Sequence, residues 1–226
     1  MTLKLYFHPF SSYCQKVLVA LYERGVPFEP VPVDLGDPDQ KAALEALWPM
    51  GKFPVLRDEA RGATVPESSV IVAYADRAHP GAEPMIPADP DAAIQVHLWD
   101  RFFDNFVETP LQKIVGDCFR TKDRRDSHGV EEARAALSKA YDLLDAHLEG
   151  IDGDWVAGSG AFTLADCGAA PALFYSNLVE SFSGRRHVEA YFRRLLARPS
   201  FARAVDEARP YREFFPLGWP DGYPER

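Results

Sequence analysis

Leu3 to Gly25 reads LKLYFHPFSSYCQKVLVALYERG, and its hydrophobic period changes within a few residues. Leu3 to Phe7 alternates apolar and polar positions, the pattern of a half-buried strand. His8-Pro9-Phe10-Ser11-Ser12 breaks it. From about Tyr13 to Arg24 the apolar positions Val17, Leu18, Leu21 and Tyr22 fall on one helical stripe. Gly25 offers a C-terminal cap, and Pro27 follows. A strand running through a short polar loop into a helix N-terminus places Ser11, Ser12 and Cys14 where unpaired amides and the helix dipole favour an anion. Such a place also stabilises a thiolate.

Working outward, Phe28 to Leu35 is an edge-strand candidate, because Pro30 and Pro32 each lack a donor. Asp37-Pro38-Asp39-Gln40 opens a second helix, with Asp37 as N-cap, Pro38 in the first turn and Gln40 closing a capping box. That helix runs to about Leu47. Phe53 to Leu56 is a third strand, and Ala63 to Val65 a fourth. Pro66-Glu67-Ser68-Ser69 then opens a helix through Val70, Ile71 and Tyr74. The order β-α-β-α-β-β-α implies a small mixed sheet covered by helices. A cis bond at Phe53-Pro54 would turn the Phe53 backbone outward to pair with an extended peptide, although few X-Pro bonds are cis.

Residues 79–90 carry four prolines and read as a linker. Beyond them the pattern is helical. Asp89-Pro90 opens a long helix with Ile94, Leu98, Phe102 and Phe106 as its stripe and Trp99 and Phe103 beside it, to be kinked or broken at Pro110. Arg120 to Gly129 is a polar stretch whose basic run, holding Asp123, reads as a solvated loop. Val130 to Leu148 is a further helix, closed by Gly150. Thr163-Leu164-Ala165-Asp166 carries a capping signal and opens a buried helix. Helices from about His187 and Ser200 complete a bundle, followed by an aromatic, proline-rich tail.

The chain has 226 residues, enough for one or two domains with a real core. It is 46% hydrophobic and 26% charged, which excludes disordered, collagen-like and coiled-coil classes. A net charge of −9 argues against a nucleic-acid binder. Three distant cysteines, Cys14, Cys118 and Cys167, argue against a disulfide framework and show no metal-ligand spacing. No signal peptide and no membrane span is expected, so the expected location is cytoplasmic.

The element order, the linker and the helical second part resemble the cytosolic glutathione S-transferase family. The matching motifs are the loop His8 to Cys14, the segment Gly51-Lys52-Phe53-Pro54-Val55-Leu56, the run Pro66-Glu67-Ser68, and Phe162-Thr163-Leu164-Ala165-Asp166. Each is weak alone; their order and intervals carry the likeness. The nearest flavour is a bacterial member with a serine-type active site, near the tau, zeta and theta-like classes. The resemblance implies a thioredoxin-like, glutathione-binding domain at residues 1–79, a linker at 80–90, and an all-helical domain at 91–226 that supplies the electrophile pocket. It implies a transferase that uses glutathione as co-substrate, without a metal, on a hydrophobic electrophilic small molecule, and a homodimer with no nucleic-acid or membrane partner.

By the same resemblance, Ser11 matches the catalytic serine, with Ser12 and Cys14 as rivals. Lys52 reaches the glycyl carboxylate, Phe53 before the cis proline Pro54 pairs with the cysteinyl backbone, and Glu67 and Ser68 hold the γ-glutamyl end. Cys14 falls on the second cysteine of a C-x-x-C whose first is absent, so dithiol cycling is unavailable. Trp48 stands where many members carry asparagine. Phe10, Trp99, Phe103 and Phe106 are the candidate electrophile pocket. Each has a structural alternative: Ser11 and Ser12 as plain helix caps, Cys14 as a small buried residue, Glu67 as a dipole complement, Lys52 as a surface charge, and the Phe102-Phe103-Phe106 cluster as core. Asp166 is structural either way, and His8 reads as a hydrogen-bonded structural group. The alternative functions are a non-catalytic glutathione-transferase-like binding protein and a glutathione-dependent isomerase or peroxidase.

Overall fold

The computed structural model describes residues 3–79, 83–158 and 160–223. Its sheet has the order β2-β1-β3-β4, from β1 (Leu3–Phe7), β2 (Glu29–Pro32), β3 (Val55–Asp58) and β4 (Ala63–Pro66). β1 pairs parallel to β2, Leu5 opposite Pro30, and antiparallel to β3, Leu5 opposite Leu56. The two prolines therefore sit on an edge strand, where a missing donor is tolerated. β3 begins two residues later than the expected start at Phe53, after the cis Phe53-Pro54 peptide.

Alternation along β1 sorts the two faces of the sheet. Leu3, Leu5 and Phe7 enter the main core with α1 (Ser12–Glu23) and α3 (Ser68–Ala78). Tyr6 turns to the other face, where α2 (Pro38–Leu47) brings Leu44 against Val33 and Val55. Asp37 caps α2 as its position implies, accepting from the Asp39 and Gln40 amides. Gln40 does not close a reciprocal box: its side chain meets the Asp37 carboxylate and the Asp34 amide, which pins the preceding turn instead.

The helical part comprises α4 (Pro90–Phe102), a π-helical segment (Phe103–Glu108), α5 (Thr109–Cys118), α6 (Ser127–Gly150), α7 (Leu164–Ser176), α8 (Arg186–Leu196) and α9 (Pro199–Ala208). α7 is buried along its whole length and packs against α1. Its N-terminus carries the expected capping box. Of the expected linker, residues 80–82 lie outside the described residues. The remainder is docked: the Met85 carbonyl accepts from Leu164 N at 2.8 Å, and Ile86 N donates to Asp76 at 2.9 Å.

Two expectations for the long helix need correction. The expected stripe does not face the core: Ile94, Leu98 and Phe106 are 60%, 56% and 59% exposed. The inward face is Val96, Trp99, Phe103 and Val107, with Phe102 also buried. Pro110 does not interrupt the helical run either. It sits in the first turn of α5, where its missing donor costs little, and the turn before it widens into the π segment.

Candidate functional site

Two cavities meet at Phe53, which lines both. The first is an apolar trough of about 610 Å³. Its floor is the β1–α1 loop with His8, Phe10, Ser11 and Ser12; its far wall is Leu111 and Val115 of α5, Phe119 just after that helix, Tyr175 of α7, and Phe214 and Phe215 of the tail. Asp34 is the one carboxylate among these lining residues. The second is a polar recess of about 260 Å³ lined by Tyr13, Trp48, Lys52, Pro54, Glu67, Ser68, Arg101, Asp104, Asn105 and Thr109.

The two serines are held differently. Ser11 is the N-cap of α1, and its Oγ accepts from the Cys14 amide at 3.4 Å. That bond uses a lone pair, and the same hydroxyl also lies within hydrogen-bond reach of the Cys14 thiol. The next amides of the helix have no intrahelical acceptor. Ser12 is buried, and its hydroxyl donates to Glu108 Oε2 at 3.0 Å. Its proton is therefore engaged by a carboxylate of the π segment. Cys14 is wholly buried, and burial pushes its thiol up to about 12, so it stays protonated and packs as a small apolar residue.

Long-range bonds fix the loop that carries Ser11. Gln15 Nε2 donates to the Pro9 carbonyl at 3.0 Å and to the Tyr175 hydroxyl at 2.8 Å. His8 Nδ1 accepts from Phe10 N at 3.2 Å, and burial lowers the imidazole pKa, so the ring acts as a neutral acceptor. Beneath the loop, the buried Lys16 ammonium binds Asp104 at 3.1 Å, Ser69 at 2.9 Å and Asp100. This ties α1 to the first turn of α3 and to the end of α4.

Glu67 occupies φ 70°, ψ 120°, a left-handed conformation that costs a non-glycine residue about 1–3 kcal/mol. It turns the chain abruptly into α3 and places Ser68 at the helix start, lining the recess. Lys52 is exposed on the recess rim. Thus Lys52, Phe53, Pro54, Glu67 and Ser68 share one cavity, and Ser11 lies in the adjoining one.

The candidate electrophile wall needs correction. Phe10 lines the trough. Trp99 and Phe103 do not: Trp99 stacks on His147 with ring centroids 3.9 Å apart, and Phe103 is fully buried. Phe106 points to the outside surface. The rings that do form the wall, Phe119, Phe214 and Phe215, come from the end of α5 and the tail. The recess residues Tyr13, Arg101, Asp104 and Asn105 were also not foreseen. Their signal was faint: a tyrosine beside the serines, and a proline at 110 that disturbs the turn before it. Among the described residues, no group of three metal-ligating side chains is close enough to hold a metal ion.

Comparison with known proteins places this geometry. Residues 5–83 match the family description "Glutathione S-transferase, N-terminal domain", and residues 127–194 match "Glutathione S-transferase, C-terminal domain". The chain is 30% identical over 216 residues to a glutathione S-transferase of Silene vulgaris, covering 91% of this chain and 97% of that one. A glutathione S-transferase from Methylobacillus flagellatus, solved with glutathione bound, superposes with a TM-score of 0.80 at 27% identity, over 89% of this chain and 98% of that one. One from Methylobacterium radiotolerans, in complex with glutathione sulfonate, gives 0.77 at 26% identity, over 91% and 95%.

Proposed function

This chain belongs to the glutathione S-transferase family, and on that premise we propose how its cleft works. It is a glutathione transferase that binds glutathione in the polar recess and directs the thiol to Ser11. The observation that carries this reading is the position of Ser11, the N-cap of α1, on an apolar trough that adjoins a polar recess at Phe53.

The chemistry follows from the thiol. A cysteine thiol has a pKa near ~8.5 and is mostly protonated at neutral pH. A hydroxyl donor and a helix N-terminus each stabilise its anion by about 1 kcal/mol or more. Together they make the thiolate the main species near neutrality. Glu67 and Ser68 hold the γ-glutamyl end, Lys52 the glycyl carboxylate, and the Phe53 backbone the cysteinyl unit. The thiolate then attacks an electrophilic carbon seated against Phe10, Val115, Phe119 and Phe215. This serine-type assignment rests on Ser11 capping α1 on the trough while the Ser12 proton is engaged by the Glu108 carboxylate. The two bacterial structures support a bacterial branch, whereas the Silene protein points towards plant relatives; kinship with the tau, zeta and theta classes rests on the serine loop.

The domain division at 1–79, 80–90 and 91–226 belongs to the same reading, as does a cytoplasmic location. So does a homodimer. Ile94, Leu98 and Phe106 form an exposed apolar row, and Val70 is 54% exposed on α3, a surface suited to a second copy across a two-fold axis. No helix among the described residues is long and apolar enough to cross a membrane. The trough carries hydrophobic walls and one carboxylate, which suits a hydrophobic electrophile.

The test is retention on immobilised glutathione followed by a turnover screen across aryl halides, epoxides, enals, hydroperoxides and cis-enoyl acids. Turnover of aryl halides, epoxides or enals supports the conjugating transferase, whereas turnover confined to hydroperoxides or cis-enoyl acids favours the peroxidase or isomerase reading. Retention without turnover favours a binding protein. Sedimentation as a monomer at micromolar concentration contradicts the dimer.

A further inference from the structure

One group beneath the cleft floor has no part in that scheme. Glu108 ends the π segment and is 2% exposed. Its Oε2 accepts from the Ser12 hydroxyl at 3.0 Å, and its Oε1 is buried without a hydrogen bond of normal geometry. Asp166 is as deeply buried but accepts from two amides and two hydroxyls. A carboxylate so short of donors is poorly held as an anion and well suited to carry a proton. Burial pushes its pKa up to about 7, and Asp104 adds to the rise. Ser12, Gln112 and Lys16 oppose it. The Lys16 charge is shared with Asp100 and Asp104, and Arg101 is paired with the same two carboxylates. Tyr13 on α1 and Tyr175 on α7 also face this group, and burial raises both phenols, so both stay neutral. Ser12 itself lines the trough beside Ser11. One hydroxyl therefore stands between the cleft and the buried acid.

We propose that Glu108, through the Ser12 hydroxyl, takes up the proton that the glutathione thiol loses on binding. The proposal rests on the glutathione reading of the cleft. The thiol S–H bond breaks and its electron pair stays on sulfur. The proton passes to Ser12 Oγ, while the original Ser12 proton passes to Glu108 Oε2. The thiolate so formed adds no net charge to the buried site. Like charges across one hydroxyl would disfavour each other, so a neutral Glu108 and a thiolate are the compatible pair. Once the thioether has formed, sulfur is neutral and Glu108 returns the proton to solvent. Glu108 is a positioning residue in this scheme, because it acts through Ser12.

Calorimetric titration with glutathione at pH 8, in buffers of different ionisation enthalpy, counts the protons released. At that pH Glu108 is mostly ionised in the free protein and the free thiol is mostly protonated. The parent should release about 0.2 protons or fewer per glutathione, and Glu108→Gln about 0.8. A second measurement on the parent needs no variant to fold. The infrared difference spectrum at pH 8 should gain a protonated-carboxyl band with glutathione and none with S-methylglutathione, which has no thiol proton. Equal proton release by the parent and Glu108→Gln overturns the proposal, as does absence of that band or its appearance with S-methylglutathione. Absence of binding heat in the parent removes the glutathione reading and this proposal with it, so the two failures are distinguishable.

Discussion

The polar recess and the apolar trough meet at Phe53 but are built by different routes. The recess takes most of its side chains from short local segments: Trp48 to Pro54 before β3, and Glu67-Ser68 at the start of α3. The trough gathers Phe10 from one loop, Leu111 and Val115 from α5, Phe119 just after that helix, Tyr175 from α7, and Phe214 and Phe215 from the tail. A site made of contiguous motifs holds a fixed ligand through backbone and charge. A wall assembled from distant helix faces is free to vary in shape without disturbing the first.

The largest expected effect lies where both cavities share a support. α7 backs α1 and supplies Tyr175, and Asp166 anchors its N-terminus with four accepted hydrogen bonds. Asp166→Ala leaves those buried donors unsatisfied and should cost about 3–5 kcal/mol, well beyond the ~1 kcal/mol of an exposed cap. Thermal denaturation should show a fall of roughly 10 °C or more, with near-parent specific activity in the folded fraction. Lost activity at unchanged stability would move Asp166 into the cleft chemistry.

Next comes the junction. Ser11→Ala should lower kcat/KM at neutral pH about tenfold to a hundredfold, with partial recovery at high pH, where less activation is needed. Smaller effects should separate the cavities. Glu67→Ala and Ser68→Ala should raise KM for glutathione about tenfold and leave kcat within roughly twofold, because they grip the end remote from sulfur. Phe119→Ala should change KM for the electrophile by only a few-fold and leave that for glutathione unchanged. A shared change in both KM values would mean that the cavities are not independent.

The same contrast decides what was legible beforehand. The β1–α1 loop, the Phe53-Pro54 turn and Glu67-Ser68 announce themselves because each function is set by residues adjacent in sequence. The sheet order follows from period-two runs separated by breakers. Trp99 and Phe103 were misplaced because helical periodicity marks an inward face without saying what it meets; here it meets His147 and the core. Phe106 escaped the same way, turned outward on the widened π segment. The Ser12–Glu108 pair spans 96 positions, and no local pattern encodes it. Asp166 was visible as a cap, but its bonds to Tyr191 and Val156 belong to tertiary structure.

The central claim is that the Ser11 hydroxyl holds glutathione as its thiolate. Its most direct test is an ultraviolet titration of the bound thiolate across pH in the parent, Ser11→Ala and Cys14→Ala. The bound thiol pKa should rise by about one to two units in Ser11→Ala and stay at the parent value in Cys14→Ala. A Ser11→Ala protein that titrates like the parent would contradict the claim and leave activation to the backbone amides of α1.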